Sequence, residues 1–428
     1  MSKIKILFLG GAQEIGRSAV HISGKVTNLL FDSGIKFSNQ IEEAIPKFEK
    51  IDINALDGVI ITHCHLDHVG SLPYLVKLGY KGKILMTAPT KNLCYLMLMD
   101  YIIQSKLKLY NKQDIKKTFK KIHILNYGER KKIKNFYIKL LPSAHVLGSC
   151  QILTQIKNRR LIYTSDIKLE GSRLFEAPPI VTCDILLVES TYAENKYRHE
   201  TREESRRKLI NHINGTIKNN GVVLIPSFAV GRCQELIMEI DSLIKANQID
   251  DVPILIDGMI RKTNLIHEKY KNYTKIKNFL FNTYNLPSII SRNEIDKISG
   301  IIITTSGMLQ GLSRKYYSLL SKNSKNCLIF AGFQAKNSFG RKVLDALYYK
   351  INTTNRIELY QDKIKVDILT GFSGHSDSNA LMEFINKIKP KTVILNHGEE
   401  DKINEFKNKL IINKFDASAP KIAEEILV

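Results

Sequence analysis

Three observations predict an α/β or α+β protein. Short apolar, β-branched runs recur from one end of the chain to the other, each bounded by Gly, Pro, Asn, Asp or Ser, as strands are. Amphipathic stretches lie between many of them. No apolar run approaches the roughly 18 residues that a membrane helix requires, so the chain is not expected to be an integral membrane protein.

The first run follows Met1 closely. It is too short for a secretory signal and lacks a small-residue cleavage site, so Lys5–Leu9 reads as a first strand. Further strands are predicted over Asn28–Phe31, Val59–Thr62, Lys83–Met86, Phe136–Leu141, Leu161–Thr164 and Asp184–Val188. The same pattern continues at Val222–Ile225, Pro253–Ile256, Ile301–Thr304, Asn326–Phe330, Val366–Leu369 and Thr392–Leu395. The clearest helix is Arg202–Lys218. Thr201 opens it, Glu204 three residues on completes a capping box, and Leu209, Ile213 and Ile217 share one face. At about 150 residues per domain the chain corresponds to two or three domains, each able to bury a core. No repeat or low-complexity segment interrupts it.

The 428 residues carry 64 Lys+Arg against 42 Asp+Glu, a formal charge of +22. Such an excess suits a polyanionic partner, because each cation placed near a phosphate releases counterions. General lysine richness would give the same number. The segment Lys106–Lys139, with Lys116-Lys117, Lys120-Lys121 and Arg130-Lys131-Lys132, reads first as the solvated face of helices and loops. Lys269–Lys275 interleaves Tyr270 and Tyr273 with lysines, a pattern that can stack bases and track phosphates. Cys64, Cys94, Cys150, Cys183, Cys233 and Cys327 are scattered singly with no C-x-x-C pair, which predicts neither disulfides nor a thiolate metal site. A reducing compartment, the cytoplasm, is expected.

The strongest signal is Thr62-His63-Cys64-His65-Leu66-Asp67-His68, directly after the run Gly58–Ile61. His63 and His65 are two apart, so at the end of an extended strand they point the same way. Asp67 and His68 follow where Gly70 and Pro73 permit a turn. One loop can then offer His63 and His65 to one metal, and Asp67 and His68 to another. Neutral imidazoles and carboxylates suit Zn²⁺ or similar ions. Only 11 histidines occur in the chain, so chance clustering explains the group poorly. More ligand types stand at the ends of later runs: His145, Asp166 and His397. Singly, each could be a hydrogen-bonded loop residue. Together with the cluster they complete a set for two metals, with Asp166 able to bridge. His21, His123, His199, His212 and His267 show no such placement and are expected to be structural. The stretch Gly10–Gly16 lacks the G-x-G-x-x-G spacing of a dinucleotide loop.

The H-x-H-x-D-H pattern with His145, Asp166 and His397 resembles the metallo-β-lactamase fold, specifically its β-CASP ribonuclease branch, and the likeness runs through nearly the whole chain. Gly10–Ser18 resembles that branch's opening strand and loop, and Phe31-Asp32-Ser33-Gly34 its first acidic motif. Glu189-Ser190-Thr191-Tyr192 resembles motif A, Gly371–Asp377 with His375 motif B, and His397-Gly398-Glu399 motif C. Ser227–Arg232 and Gly332–Ala335 are further shared segments. The match is nearest to the group that includes the endonuclease subunit of the pre-mRNA 3′-end cleavage complex and its prokaryotic relatives, with RNase J more distant. Gly307–Ser313 departs from the glycine-glycine-proline run of that group.

The resemblance implies an αββα sandwich, residues 1–194, interrupted by a β-CASP domain, residues 195–372, and completed by residues 373–428, with the active site in the cleft between domains. It implies two Zn²⁺ per chain, one held by His63, His65 and His145, the other by Asp67, His68 and His397, and Asp166 on both. Asp32 is expected to orient the ligands, although a turn-capping role before Gly34 fits the sequence as well. His375 is the expected general acid and Glu189 the carboxylate that orients it, while Asp67 counts among the catalytic groups as well as the ligands. A histidine in motif C resembles RNA-processing members. The expected activity is therefore zinc-dependent RNA hydrolysis, endonucleolytic, with 5′-to-3′ exonucleolytic cleavage as a further option. The alternatives are a non-catalytic RNA-binding processing factor, against which every ligand position is filled, and a small-molecule hydrolase, against which the insertion, the motifs and the charge argue. RNA is the expected partner, with no membrane; relatives often pair, which leaves a homodimer open as an option. The sequence runs only a short way past motif C, so the extra RNA-binding domains of some relatives are not expected.

Overall fold

The computed structural model describes residues 4–194, 197–281, 299–350, 359 and 361–428. Asn195, where the inserted domain was expected to begin, lies outside the described residues. Two units are distinguished, Met1–Arg198 with His375–Val428, and His199–Gly374.

The first unit is built on two seven-stranded sheets. One contains β1 (Lys5–Gly10), β2 (Ala19–Ser23), β3 (Asn28–Phe31), β4 (Gly58–Ile60), β5 (Lys83–Met86), β6 (Ile122–Ile124) and, beside β1, β19 (Glu425–Leu427). Pairing is antiparallel from β19 to β3 and parallel from β3 to β6. The other contains β7 (Arg130–Ile133), β8 (Phe136–Pro142), β9 (Cys150–Ile156), β10 (Arg159–Tyr163), β11 (Ile185–Glu189), β17 (Thr392–Asn396) and β18 (Asp416–Ser418). Here β7 to β10 are antiparallel, and β10, β11, β17 and β18 are parallel.

Alternating side chains explain the layering. Phe8, Ile22, Leu29, Phe31 and Ile60 of one sheet share a buried core with Ile138, Leu140, Ile152, Tyr163 and Leu187 of the other, so the sheets lie face to face. The opposite side chains of the second sheet, Ile162, Leu186, Val188, Val393 and Leu395, bury against Leu381, Phe384 and Ile385 of helix Ser378–Ile388 and Ile403, Phe406 and Leu410 of helix Glu400–Ile412. All of Gly58–Ile60 is buried, as parallel strands are when helices cover the outer face. The helices Leu72–Lys77, Ala88–Gln104 and Lys112–Phe119 pack together beside β4 to β6.

The second unit carries a five-stranded, all-parallel sheet in the order β13 (Ile254–Asp257), β14 (Gly300–Thr304), β12 (Val222–Pro226), β15 (Cys327–Phe330), β16 (Lys365–Ile368). Its central strands are apolar throughout, as burial on both faces requires. Helix Arg202–Lys218 begins as its residues predict: Thr201 caps Glu204 N, and the Glu204 carboxylate returns to Thr201 N at 2.7 Å. The architecture is the expected αββα sandwich with an inserted α/β unit.

Every strand read from the residues is present. Those not anticipated, β2, β6, β7, β9, β18 and β19, are mostly three to five residues long and interrupted by polar side chains. The segment Lys106–Lys139 is not only helices and loops. It contributes β6, β7 and the start of β8, and β7 is an edge strand whose lysines and arginine discourage pairing with another chain. No described helix is long and apolar enough to cross a membrane. All six cysteines are buried and unpaired.

His212, on helix Arg202–Lys218, meets the Asp367 carboxylate of β16 through Nε2, and its Nδ1 lies 3.7 Å from Cys327 Sγ. The Asp367 bond, then the Cys327 contact, lift the imidazole from 6.5 to about 9 despite partial burial. A histidine with a raised folded pKa contributes its stabilisation fully below the unfolded value and loses it as pH rises through the folded one. Between pH 6.5 and 9 the second unit should therefore lose about 1–2 kcal/mol, once solvent screening of a half-buried pair is allowed for. Urea unfolding across that window should show the loss in the wild type and a flatter profile in His212→Gln. Identical profiles would remove this pair from the stability of the fold.

Candidate metal centre

One edge of the first unit gathers the loops that leave β3, β4, β8, β10, β11 and β17. The strands β8, β10, β11 and β17 run the same way, so their C-terminal ends share that edge, a habitual site for ligands in such sheets. Asp32 follows β3, His63 to His68 follow β4, His145 follows β8, Asp166 follows β10, Glu189 ends β11 and His397 follows β17.

The turn at Leu66–Val69 is stitched to the loop after β3. Ser33 N donates to His68 O, Ile35 N to Leu66 O, and Ser18 N to Asp67 O, all at 2.8 Å. The approach is so close that a Cβ on Gly34 would stand 1.7 Å from Asp67 O, which only glycine avoids. On the opposite side His397, in the left-handed region at φ 53°, donates its backbone N–H to Gly11 O at 2.6 Å. The glycine-rich loop after β1 thus holds motif C in place.

The side chains converge on two points. His65 Nδ1 lies 3.2 Å from His63 Nε2 and 3.1 Å from His145 Nε2, and Asp166 Oδ2 is 3.5 Å from each of the latter two. Four donors around a tetrahedral ion with bonds near 2.0–2.1 Å stand about 3.3–3.4 Å apart along the edges, so this spacing fits an ion such as zinc. The second group is looser. Asp67 Oδ2 is 3.3 Å from His397 Nε2 and 3.9 Å from His68 Nε2, and the other Asp166 oxygen is 3.1 Å from His68 Nε2. Beyond these close approaches, the buried atoms His68 Nε2, Asp166 Oδ1 and His397 Nε2 have no hydrogen-bond partner among the described residues. Orphaned polar atoms this deep are costly unless something else engages them. The donor set therefore fits metal ions.

The electrostatics differ between the two groups. Burial, and next the neighbouring His68, push His63 well below its usual value, and burial does the same for His65, so both rings are in the neutral form that binds metals. Against burial, Asp166 and Asp32 hold His68 well above its usual value, and His68 and His397 keep Asp166 well below its own. The Cys64 thiol, buried between two of these histidines in sequence, is pushed up by burial and is no thiolate ligand.

Asp32 is fully buried with φ 59°. Its carboxylate accepts from Thr62 N at 2.8 Å, Thr62 Oγ1 at 2.9 Å, Tyr163 OH at 3.1 Å and Ser165 Oγ at 3.4 Å, and it meets His68 Nδ1 at 2.8 Å. It caps no turn of its own loop. Its contact with Nδ1 fixes the His68 ring and turns Nε2 toward the second group. Glu189, also buried, contacts His375 Nδ1 with both oxygens at 2.9 Å. The same carboxylate accepts from Ile167 N at 2.8 Å and Thr191 Oγ1 at 2.5 Å. This carboxylate outweighs burial and raises the His375 pKa. The His375 ring centroid is 4.7 Å from that of His145. Its loop is fastened by Leu169 N donating to Ser376 Oγ, and Asp377 caps the helix that follows.

All ten residues singled out in the sequence therefore meet at one edge. Not anticipated were the roles of Thr62, Tyr163, Ser165 and Thr191, which hold the two carboxylates. Thr62 and Thr191 lie inside motifs that were read, and Tyr163 and Ser165 flank the end of a predicted strand. Only proximity to Asp32 in space gives them meaning. The histidines left aside, His21, His123, His199, His212 and His267, are absent from these clusters.

Comparison with known proteins adds the lineage. A Beta-Casp domain matches residues 233–343, a Zn-dependent metallo-hydrolase RNA specificity domain matches 363–420, and the Anti-Pycsar protein Apyc1 family matches 5–205. An RNase J-like protein of Methanocaldococcus jannaschii is 34% identical over 92% of this chain and 93% of its own. The protein named Probable RNase MJ4 from the same organism is 32% identical over 99% and 100%. Transcription termination factor FttA of Methanothermobacter thermautotrophicus is 33% identical over 93% of this chain, which spans 67% of that protein. A crystal structure of a protein of unknown function from Enterococcus faecalis V583 superposes with a TM-score of 0.63 over 100% of both chains at 13% identity, a likeness of fold alone. Sequence, architecture and relatives agree that the chain belongs to the β-CASP family of metallo-β-lactamase-fold ribonucleases.

Proposed function

We propose that this chain hydrolyses RNA phosphodiester bonds at a centre of two zinc ions and cuts within the strand. The observation that carries this reading is the convergence of three imidazole nitrogens and Asp166 at tetrahedral spacing, beside a second group whose buried donors are otherwise unsatisfied. His63, His65 and His145 would hold one ion, Asp67, His68 and His397 the other, and Asp166 one oxygen toward each. Ions so held lower the pKa of water toward neutrality and offset charge on a phosphate oxygen.

The remaining residues orient groups and move a proton. Asp32 holds His68 in the tautomer whose Nε2 is a ligand. Glu189 engages His375 Nδ1 and favours its charged form, so the proton at Nε2 is the one to give away. As water oxygen bonds to phosphorus and releases its proton to solvent, the bond to the leaving oxygen breaks, the His375 proton passes to that oxygen, and His375 regains one from solvent. A non-catalytic RNA-binding role would leave this acid pair without purpose.

Three outcomes test the assignment. His375→Ala should keep its zinc by elemental analysis yet lose about 10²–10⁴-fold in turnover, the usual worth of a positioned acid; wild-type turnover would remove it from the mechanism. Asp32→Asn should weaken metal affinity by about 10–100-fold in a chelator titration, because the His68 ring loses its orienting acceptor; unaltered affinity would return Asp32 to a purely structural part. RNA labelled separately at its 5′ and 3′ ends should yield discrete internal fragments from both labels, whereas mononucleotides released from one end would show exonucleolytic cutting instead.

A further inference from the structure

The outer helices leave part of the second sheet bare. Helices Ser378–Ile388 and Glu400–Ile412 bury Ile162, Leu186, Val188, Val393 and Leu395 of β10, β11 and β17. Farther along the sheet, Arg130, Lys132 and Arg160 are exposed on that side and Tyr137, Lys139 and Gln155 are half-buried. The pairing register sets them side by side: Lys132 stands opposite Tyr137, Arg130 opposite Lys139, Lys139 opposite Leu153, Tyr137 opposite Gln155, and Gln155 opposite Arg160. Four cations, Arg130, Lys132, Lys139 and Arg160, thus share one face around a single tyrosine.

Three features distinguish this face from an ordinary solvated one. It forms a shallow, open depression of about 310 Å³ lined by Arg130, Tyr137, Lys139, Gln155 and Arg160 among others. Among the described residues, none of the four cations lies within ion-pair distance of a carboxylate, although salt bridges are common elsewhere in the chain. The Arg130 guanidinium sits 3.8 Å from the centroid of the Tyr137 ring and donates to Gln155 at 3.1 Å, which holds it as a flat, charged platform. Such a guanidinium stacks an unpaired base on its free face while its neighbours meet phosphates. The strands point the way: β8 passes from Lys139 to Pro142, three residues before His145.

We propose that the outer face of β7 to β10 is a second RNA-binding site, separate from the metal centre, which grips single-stranded RNA by its phosphates and stacks a base on Arg130. The polymer's identity rests on the ribonuclease reading; the cationic face itself does not. The test uses a 5′-fluorescein-labelled 20-nucleotide oligouridylate, with the wild type and a variant carrying Arg130→Gln, Lys132→Gln, Lys139→Gln and Arg160→Gln. A second variant with only Lys139→Gln and Arg160→Gln guards against misfolding. Each lost phosphate contact lowers the slope of log affinity against log salt by about 0.7 for single strands, so the quadruple variant should lose about 2–3 from that slope, the double variant about half as much, and the former should bind about tenfold or more weakly near 0.1 M salt. KM for cleavage of the 20-mer should rise in parallel with kcat retained, and kcat/KM for a tetranucleotide should stay at the wild-type value. Unchanged slope and KM in an active quadruple variant would overturn the second site and leave the ribonuclease reading intact. Loss of slope in a protein whose wild type cleaves no RNA would sink the ribonuclease reading and leave the RNA-binding face standing.

Discussion

The structure depends on one arrangement, the Asp166 carboxylate buried between two groups of imidazoles with each oxygen facing one of them. Among the described residues, His68 Nε2, Asp166 Oδ1 and His397 Nε2 have no partner beyond one another, the other His397 nitrogen and Asp67. His63 Nε2 and His145 Nε2 crowd His65 Nδ1 at 3.1–3.2 Å. Isolated, that burial is unfavourable by a few kcal/mol per group. The fold accepts it because the donors hang from rigid strand ends on both sheets, and a set this far from self-satisfaction makes sense only as a receptor for cations.

Two buried carboxylates outside the donor groups make the arrangement reproducible. Asp32 binds Thr62, Tyr163, Ser165 and His68 together, and so ties β3, the loop after β4 and the end of β10 into one block. Glu189 does the same for the end of β11, the loop after β10 and His375. Both are needed because the ligand loops come from segments far apart in the chain, and each loop alone has many conformations. Strand register brings them to one edge; the carboxylates then select a single orientation. Left-handed backbone at Asp32, Ser165 and His397 belongs to the same economy of space, since these residues turn sharply where the sheets end.

The sequence revealed the site more fully than it revealed the fold. His63 to His68 are legible because the candidate donors are local, and period-two spacing at a strand end has a direct geometric meaning. His145, Asp166 and His397 are legible because each follows an apolar run. Strands such as β4, β11 and β12, buried on both faces, announce themselves as continuous apolar segments. Strand β7 does not: Arg-Lys-Lys-Ile reads as a solvated stretch, and only its pairing with β8 makes it a strand. The donors to Asp32 were equally hidden, since Tyr163 and Ser165 are more than a hundred residues from Asp32 and carry no pattern of their own.

That blind spot bears on the charge. A net +22 could be spread evenly, and spread charge gives weak, unspecific attraction. Register removes the ambiguity at β7 to β10, because it aligns Arg130, Lys132, Lys139 and Arg160 on one side of a sheet, where none of them meets a carboxylate among the described residues. An edge strand needs some charge to resist pairing with another chain, and lysines on β7 alone would meet that need. Lys139 and Arg160 lie inward of the edge, on strands already paired on both sides, so protection of the edge does not account for them. An anionic strand lying across β7 to β10, as proposed, would account for their position.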